Sequence, residues 1–464
     1  GSAEVLRIAF PLILSTSAHT IQMFTDRMFL YWYSSDQMSA AMPAGITCFT
    51  FISFFMGTVT YVNAFVAQYL GAGRPRRIGP AVWQGIYFSI FAGLLLFLLI
   101  PTAQRLFDAF GHDPAVRQHE VTYFRILCLG GIPVLLSSTV SCFYSGRGKT
   151  WPVFYVNVLG TAINIVLDYA MIFGKLGFPE WGIAGAAWAT NIAGISTALL
   201  YLGLFLRKGN RREYQTLGGA KTDWDLFKRL MRFGLPTGVQ FTLDVLAFTL
   251  FIALVGRLDT LSLTASTMTF QINMLSFMPM IGFGIAVETL VGQSLGRNDA
   301  ALACRYTWSA FYMTFSYMIL IALGYWLIPD LFLYPFKIKS NPAEFAAAHP
   351  IAVKLLCFVA FYCLFDTGNI IFAATLKGAG DTRFVMMVPV VLSWTVLVIP
   401  VYLAVRYGWG LYVAWSFATA YVCLLSVAFF VRFLKGKWKS MRVIEAAPPP
   451  LPQVPEVPTV EVEI

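Results

Sequence analysis

The length and frequency of its unbroken apolar runs constrain this chain more than any other feature. Residues 94–100 read Leu-Leu-Leu-Phe-Leu-Leu-Ile, and comparable stretches recur from near residue 8 to near residue 431. A water-soluble core cannot absorb them: 58% of the 464 residues are hydrophobic and 12% are charged, against roughly 45–50% and about 25% in soluble domains. A bilayer can. In lipid only helices and closed barrels satisfy every backbone group, and barrel strands would alternate where these runs are continuous. At about 20 residues per crossing plus a connection, the chain holds about twelve spans, so an all-α integral membrane fold is expected.

Gly, Pro and charge divide the runs into spans near 8–33, 43–70, 80–103, 121–145, 152–174, 181–206, 227–255, 264–294, 303–328, 350–376, 384–405 and 410–431. Lys and Arg fall mostly in alternate connections, such as Arg74, Arg76 and Arg77, Arg147 and Lys149, the cluster from Arg207 to Arg232, and the stretch from Arg432 to Arg442. The opposite connections carry only Arg105, Arg117, Lys175, Arg257, Lys337, Lys339 and Arg406. The positive-inside rule then predicts a multi-pass protein of the cytoplasmic (inner) membrane with both termini in the cytoplasm. The net charge of +10 is accounted for by this topology and by anionic lipid, so no nucleic-acid partner is expected. The seven cysteines lie in or beside apolar runs without ligand spacing and read as core residues. Gly1-Ser2 reads as a cloning remnant, and the Pro-rich, aromatic-poor stretch from Glu445 to Ile464 as a disordered tail.

The chain repeats itself. Val66-Ala-Gln-Tyr-Leu-Gly71 recurs as Val291-Gly-Gln-Ser-Leu-Gly296, Ser145-Gly-Arg-Gly-Lys-Thr150 as Lys377-Gly-Ala-Gly-Asp-Thr382, and Trp181-Gly182 as Trp409-Gly410. Three matches in order at nearly one offset, six spans apart, imply parallel repeats about a pseudo-twofold axis along the membrane normal. That architecture places a substrate site between two halves of an alternating-access transporter. The expected organisation is an N-terminal lobe at 5–206, a basic cytoplasmic linker at 207–226, a C-terminal lobe at 227–435 and a disordered Pro-rich tail at 436–464.

An ionisable residue within a span costs at least roughly 2.5–3.5 kcal/mol at the helix centre, so Asp26, Asp168, Asp244, Glu288 and Asp366 are functional candidates. Three of them end polar stripes. Ser15, His19, Gln22 and Asp26 follow i, i+4, i+7, i+11 spacing, as do Asn157, Thr161, Asn164 and Asp168, and Thr237, Gln240 and Asp244 follow a shorter version. Such faces either line an ion-filled cavity or join helices through hydrogen bonds, which does not require carboxylates. Pro11 and Pro236, equivalent in the two halves, are candidate bends or harmless first-turn prolines.

Several catalytic readings fail. Ser145-Gly-Arg-Gly-Lys-Thr150 has Phe143 where a phosphate-binding loop needs its leading glycine, and His119-Glu120 has Tyr123 where a zinc-protease helix needs its second histidine. There is no nucleophile elbow. The chain is not expected to be an enzyme, and no cofactor is expected besides a coupling ion.

Asp26, Asn-Ile-Val-Leu-Asp at 164–168 with Phe173-Gly174, Trp-Gly-Ile-Ala-Gly-Ala-Ala-Trp-Ala-Thr at 181–190, Gly-Gln-Ser-Leu-Gly at 292–296 and Leu-Lys-Gly-Ala-Gly-Asp-Thr-Arg at 376–383 resemble the multidrug and toxic compound extrusion (MATE) family. The resemblance runs from about residue 5 to 435. It implies twelve helices in two V-shaped lobes of six, exporting organic cations and drugs against inward flow of Na+ or H+. It also implies an N-lobe cation site at Asp26, Asn164, Asp168 and Thr190, where Na+ could bind, and C-lobe ion or substrate residues at Asp244 and Asp366. Gln22 and Gln240 are accessory candidates.

The sequence departs from the family at Arg27, which follows the first-span acid, and at Tyr31-Trp-Tyr33. Arg27 either pairs with Asp26 or points past the helix end to water. Glu288 is a candidate gate residue or a buried partner of Arg125 or Lys354. The expectation is thus a monomeric cation-coupled antiporter exporting small organic cations by alternating access. The alternative of the same superfold is a lipid-linked precursor flippase, which should line its cavity with Lys and Arg. A polytopic enzyme would instead cluster its acids at one membrane face.

Overall fold

Apolar segments of this length leave the backbone no partner in lipid but itself, and the chain is almost wholly helical. The computed structural model describes residues 1–447 apart from residue 340. Its twelve long helices are α1 (Ser2–Tyr33), α2 (Asp36–Gly71), α3 (Pro75–Phe97), α4 (Pro114–Leu129 and Gly131–Ser145), α5 (Trp151–Phe173), α6 (Ile183–Phe205), α7 (Trp224–Gly256), α8 (Thr260–Gly296), α9 (Ala300–Leu327), α10 (Pro342–Ala379), α11 (Thr382–Arg406) and α12 (Leu411–Lys435). Among the described residues, ten of these are long and apolar enough to cross a bilayer singly, and the two halves of α4, inclined by 47°, make an eleventh crossing. The twelfth, α1, has the length but not the apolarity, because it carries Glu4, Arg7, Asp26, Arg27 and its polar stripe.

Several helices start before their apolar runs because a polar side chain caps them. Asp223 Oδ1 accepts from Leu226 N at 3.2 Å at the start of α7, and Asn341 Oδ1 from Ala343 N at 3.0 Å at the start of α10. Pro11 and Pro236 interrupt nothing: α1 and α7 run through them. A bend of 47° lies in α4, at Gly130.

The first six helices pack on one another, α1 on α5, α5 on α6 and α3 on α4, as do the last six, with α10 central among α8, α9 and α12. The two lobes meet where α2 packs on α7 and α8, and α1 on α8. The repeat is visible in the backbone: Gly182 and Gly410, one before α6 and one before α12, both take positive φ, 58° and 98°, which costs glycine nothing.

The linker at 207–226 is pinned to α3. Tyr214 O accepts from Gly79 N at 2.9 Å, Thr216 O from Trp83 Nε1 at 2.5 Å, and Ala220 O from the Tyr87 hydroxyl. The tail begins differently from the expected disorder. Residues 437–440 form a 3-10 turn, Trp438 and Val443 are buried, and Glu445 sits in an ion-pair cluster. The rest of the expected tail, 448–464, lies outside the described residues.

Candidate ion and substrate sites

The polar stripes of α1 and α5 face each other as rungs. Asn157 Nδ2 donates to Ser15 Oγ at 2.6 Å, and Thr161 Oγ1 to Gln22 Oε1 at 3.2 Å. His19, between those rungs, is exposed. These lower rungs join helices by hydrogen bonds. The top rung does not: Asp26 and Asp168 face each other, and Asp26 Oδ1, both Asp168 oxygens and Asn164 Oδ1 are buried with no hydrogen-bond partner.

Buried oxygens without donors are costly, and two facing carboxylates repel unless a proton or cation lies between them. Asn164 is turned to suit a cation. Its amide nitrogen donates to Thr190 Oγ1 at 3.5 Å, leaving its carbonyl oxygen free, while Thr190 Oγ1 donates to Ala186 O at 3.0 Å. The structure thus brings Asp26, Asn164, Asp168 and Thr190 together. This oxygen set fits a hard monovalent cation.

Tyr123 of α4, buried beside Asp26 and Asp168, escaped sequence reasoning because it lies on no stripe. Arg27 is half-buried, and among the described residues no carboxylate comes within ion-pair distance of it.

The C-lobe acids are arranged differently. Asp366 of α10 is buried, with Asn369 Nδ2 donating to it at 3.3 Å. Asp244 of α7 is exposed, yet near enough to feel the charge of Asp366. Thr237 of the third stripe is buried, and Gln240 is half-buried. Tyr421 of α12, whose buried hydroxyl has no partner, lies near Asp244. Glu288 meets neither Arg125, whose Nε donates to Ile100 O, nor Lys354, which sits over the Tyr412 ring. Among the described residues Glu288 makes no ion pair; it is near enough to feel the charge of Lys377 at the end of α10, and Asn63 of α2 lies beside it. Lys377 belongs to the same lobe as Glu288, and Asn63 to the other.

Along α1, contact with the other lobe is carried by its first half. α1 packs on α8 through Ala9 and Ile13 against Gly282, while Ser17, Ile21, Met23 and Phe24 in its second half are exposed. Inter-lobe hydrogen bonds concentrate at the C-termini of α2 and α8, where the repeated segments interlock. Gln68 Nε2 donates to Gly378 O at 2.8 Å, and its counterpart Gln293 Nε2 to Gly146 O at 3.0 Å. A Cβ at Gly71 would strike the Gln293 carbonyl, and one at Gly296 the Gln68 carbonyl. Asn63 Nδ2 donates to Thr289 Oγ1 at 3.1 Å, and the Tyr61 hydroxyl to Lys377 O at 2.6 Å. Two of the three segments that reveal the repeat in the sequence therefore build the closed end, a role their recurrence alone does not announce.

The MatE family model matches this chain twice, over residues 11–170 and 236–403, one match per lobe. Among curated proteins, the "Probable multidrug resistance protein NorM" of Mesorhizobium japonicum is 28% identical over 438 residues, covering 92% of this chain and 93% of the relative. Among solved structures, an outward-facing multidrug resistance MATE transporter of the MOP superfamily superposes with a TM-score of 0.85 at 18% identity, over 95% of this chain and 96% of the other. A MOP-superfamily transporter from Pyrococcus furiosus, described as having a binding pocket of reversed polarity, also reaches 0.85, at 19% identity and 94% and 96% coverage.

Proposed function

Because this chain belongs to the MatE family of membrane transporters, which are not enzymes, we propose that it is a cation-coupled antiporter exporting organic cations and drugs by alternating access. The observation carrying this reading is the top rung of the α1–α5 ladder, where four buried oxygens on three side chains lack any donor. Sodium binds there in our reading, held by Asp26, Asp168, Asn164 and Thr190, with protons competing for the same carboxylates. Both neutral oxygens favour sodium over a bare proton site.

The organic cation binds at the seam, attracted by Asp244 and Asp366 and by aromatic faces. Coupling needs only that the ion and the drug favour different access states. The closed end carries most of the basic connections, including Arg74, Arg76, Arg77 and Arg147, so it faces the cytoplasm together with both termini, and the opposite end faces outward. One chain supplies both lobes, so the monomer is the working unit. The lipid-linked precursor flippase is disfavoured because the candidate residues of both lobes are acidic and Arg27 stands alone among them.

Calorimetric titration of the purified protein with sodium tests the reading. Wild type should bind it, and Asp26→Asn with Asp168→Asn should not. Equal binding by both would overturn the assignment.

A further inference from the structure

The closed end holds an anion-binding site that the chain fills with its own tail. After α12 ends, residues 437–445 cross the seam between the lobes. Trp438 is buried, and its Nε1 donates to Phe433 O at 3.0 Å. Val443 packs over Gly380, and its backbone N–H donates to Gln68 Oε1 at 3.0 Å. Gln68 is the same side chain that bonds Gly378 across the seam, so the strap and α10 between them occupy both ends of its amide.

The strap ends in a cluster of cationic and phenolic donors drawn from both lobes. Glu445 Oε2 accepts from the Tyr69 hydroxyl at 2.6 Å and from Arg229 of α7 at 3.0 Å. Its Oε1 accepts from Arg77 Nε at 3.2 Å and lies 3.4 Å from Arg74, and Arg74 also donates to the Glu445 backbone carbonyl at 2.6 Å. Arg77 in turn pairs with Asp223, the cap of α7, at 3.1 Å. Burial would raise the Glu445 carboxyl, but the Tyr69 hydrogen bond and the Arg77 and Arg74 charges outweigh it and hold it below the ordinary carboxylate value. A carboxylate surrounded by one phenol and three guanidiniums is far better satisfied than an isolated surface ion pair.

We propose that Tyr69, Arg74, Arg77 and Arg229 form a latch site whose ligand is the Glu445 carboxylate, and that its occupation holds the two lobes together at this end. The tail is covalently part of the C-lobe, whereas Tyr69, Arg74 and Arg77 belong to the N-lobe. Parting the lobes therefore requires the carboxylate to leave them. Occupation favours the state closed at this end, and release must precede or accompany opening. The ion and drug sites lie elsewhere, so the latch sets the resting balance between access states without touching either ligand.

The proposal rests on the alternating-access reading only in requiring that the lobes separate here. Spin labels at Arg76→Cys and Arg297→Cys, both exposed and one on each lobe, report that separation by pulsed dipolar distance measurement, with Cys304, Cys357 and Cys423 replaced by Ser. Glu445→Gln should raise the ratio of separated to apposed lobes about three- to fivefold, as loss of a partly exposed ion network implies. Tyr69→Phe, which removes one hydroxyl, should raise it less, and the double variant no more than Glu445→Gln alone. Identical distances in wild type and Glu445→Gln, or fully additive effects of the two substitutions, would overturn the latch. Wild-type distances that never change with sodium or an organic cation would instead count against alternating access, whatever the variants do.

Discussion

Each lobe carries acids within its spans, yet their surroundings differ. In the N-lobe, Asp26 and Asp168 face each other in a pocket closed by Asn164, Thr190 and Tyr123, and their oxygens lack donors. In the C-lobe, Asp366 already has Asn369 as a donor and Asp244 is exposed. A small dehydrated ion needs the first arrangement, in which protein oxygens replace its water. A bulky organic cation needs the second, in which a carboxylate is reachable without being enclosed. We therefore propose the ion for one lobe and the drug for the seam beside the other.

Removing the N-lobe charge should have the largest effect. Asp168→Asn should lower gradient-driven export about a hundredfold, the cost of losing a charged ligand, with substrate binding to the detergent-solubilised protein retained in a fluorescence titration. Asp244→Asn should do the reverse: KM for the organic cation rises about tenfold while the dependence of rate on the ion gradient keeps its midpoint. If both variants lost ion dependence equally, the division between lobes would fail. Thr190→Ala removes a neutral ligand and frees the Asn164 amide, so sodium affinity should fall about five- to tenfold in the calorimetric titration. The smallest change is expected from Tyr421→Phe, which deletes a buried hydroxyl with no protein partner. It should leave thermal stability unchanged or slightly raised and alter only the drug KM, by about two- to threefold.

Asp26, Asn164 and Asp168 were legible as polar stripes from spacing, whereas Thr190 came only from the family resemblance. Positions i, i+4, i+7 and i+11 on a helix share a face, and a run of Ser, Gln and Asp in an apolar span has few reasons to exist. Spacing could not show that two such faces meet, nor that hydrogen bonds satisfy the lower rungs and leave the top one bare. Glu288 illustrates a second limit: the charge it feels is that of Lys377, which lies just past the apolar run of α10 and outside the span that the sequence marks. The tail illustrates a third. Its proline content argued for disorder, whereas Trp438, Val443 and Glu445 each find a partner that composition does not reveal. A fourth limit lies in α4, whose apolar run reads as one span at 121–145 although it bends by 47° at Gly130.

Export of an ethidium-like cation from proteoliposomes, under sodium and proton gradients imposed separately, tests the central claim most directly. The account predicts that an inward sodium gradient accelerates export, that a proton gradient competes through the same site, and that Asp26→Asn with Asp168→Asn, at equal protein and unchanged folding, abolishes both responses. Export that ignores both gradients, or gradient-driven export that survives in the double variant, would contradict it.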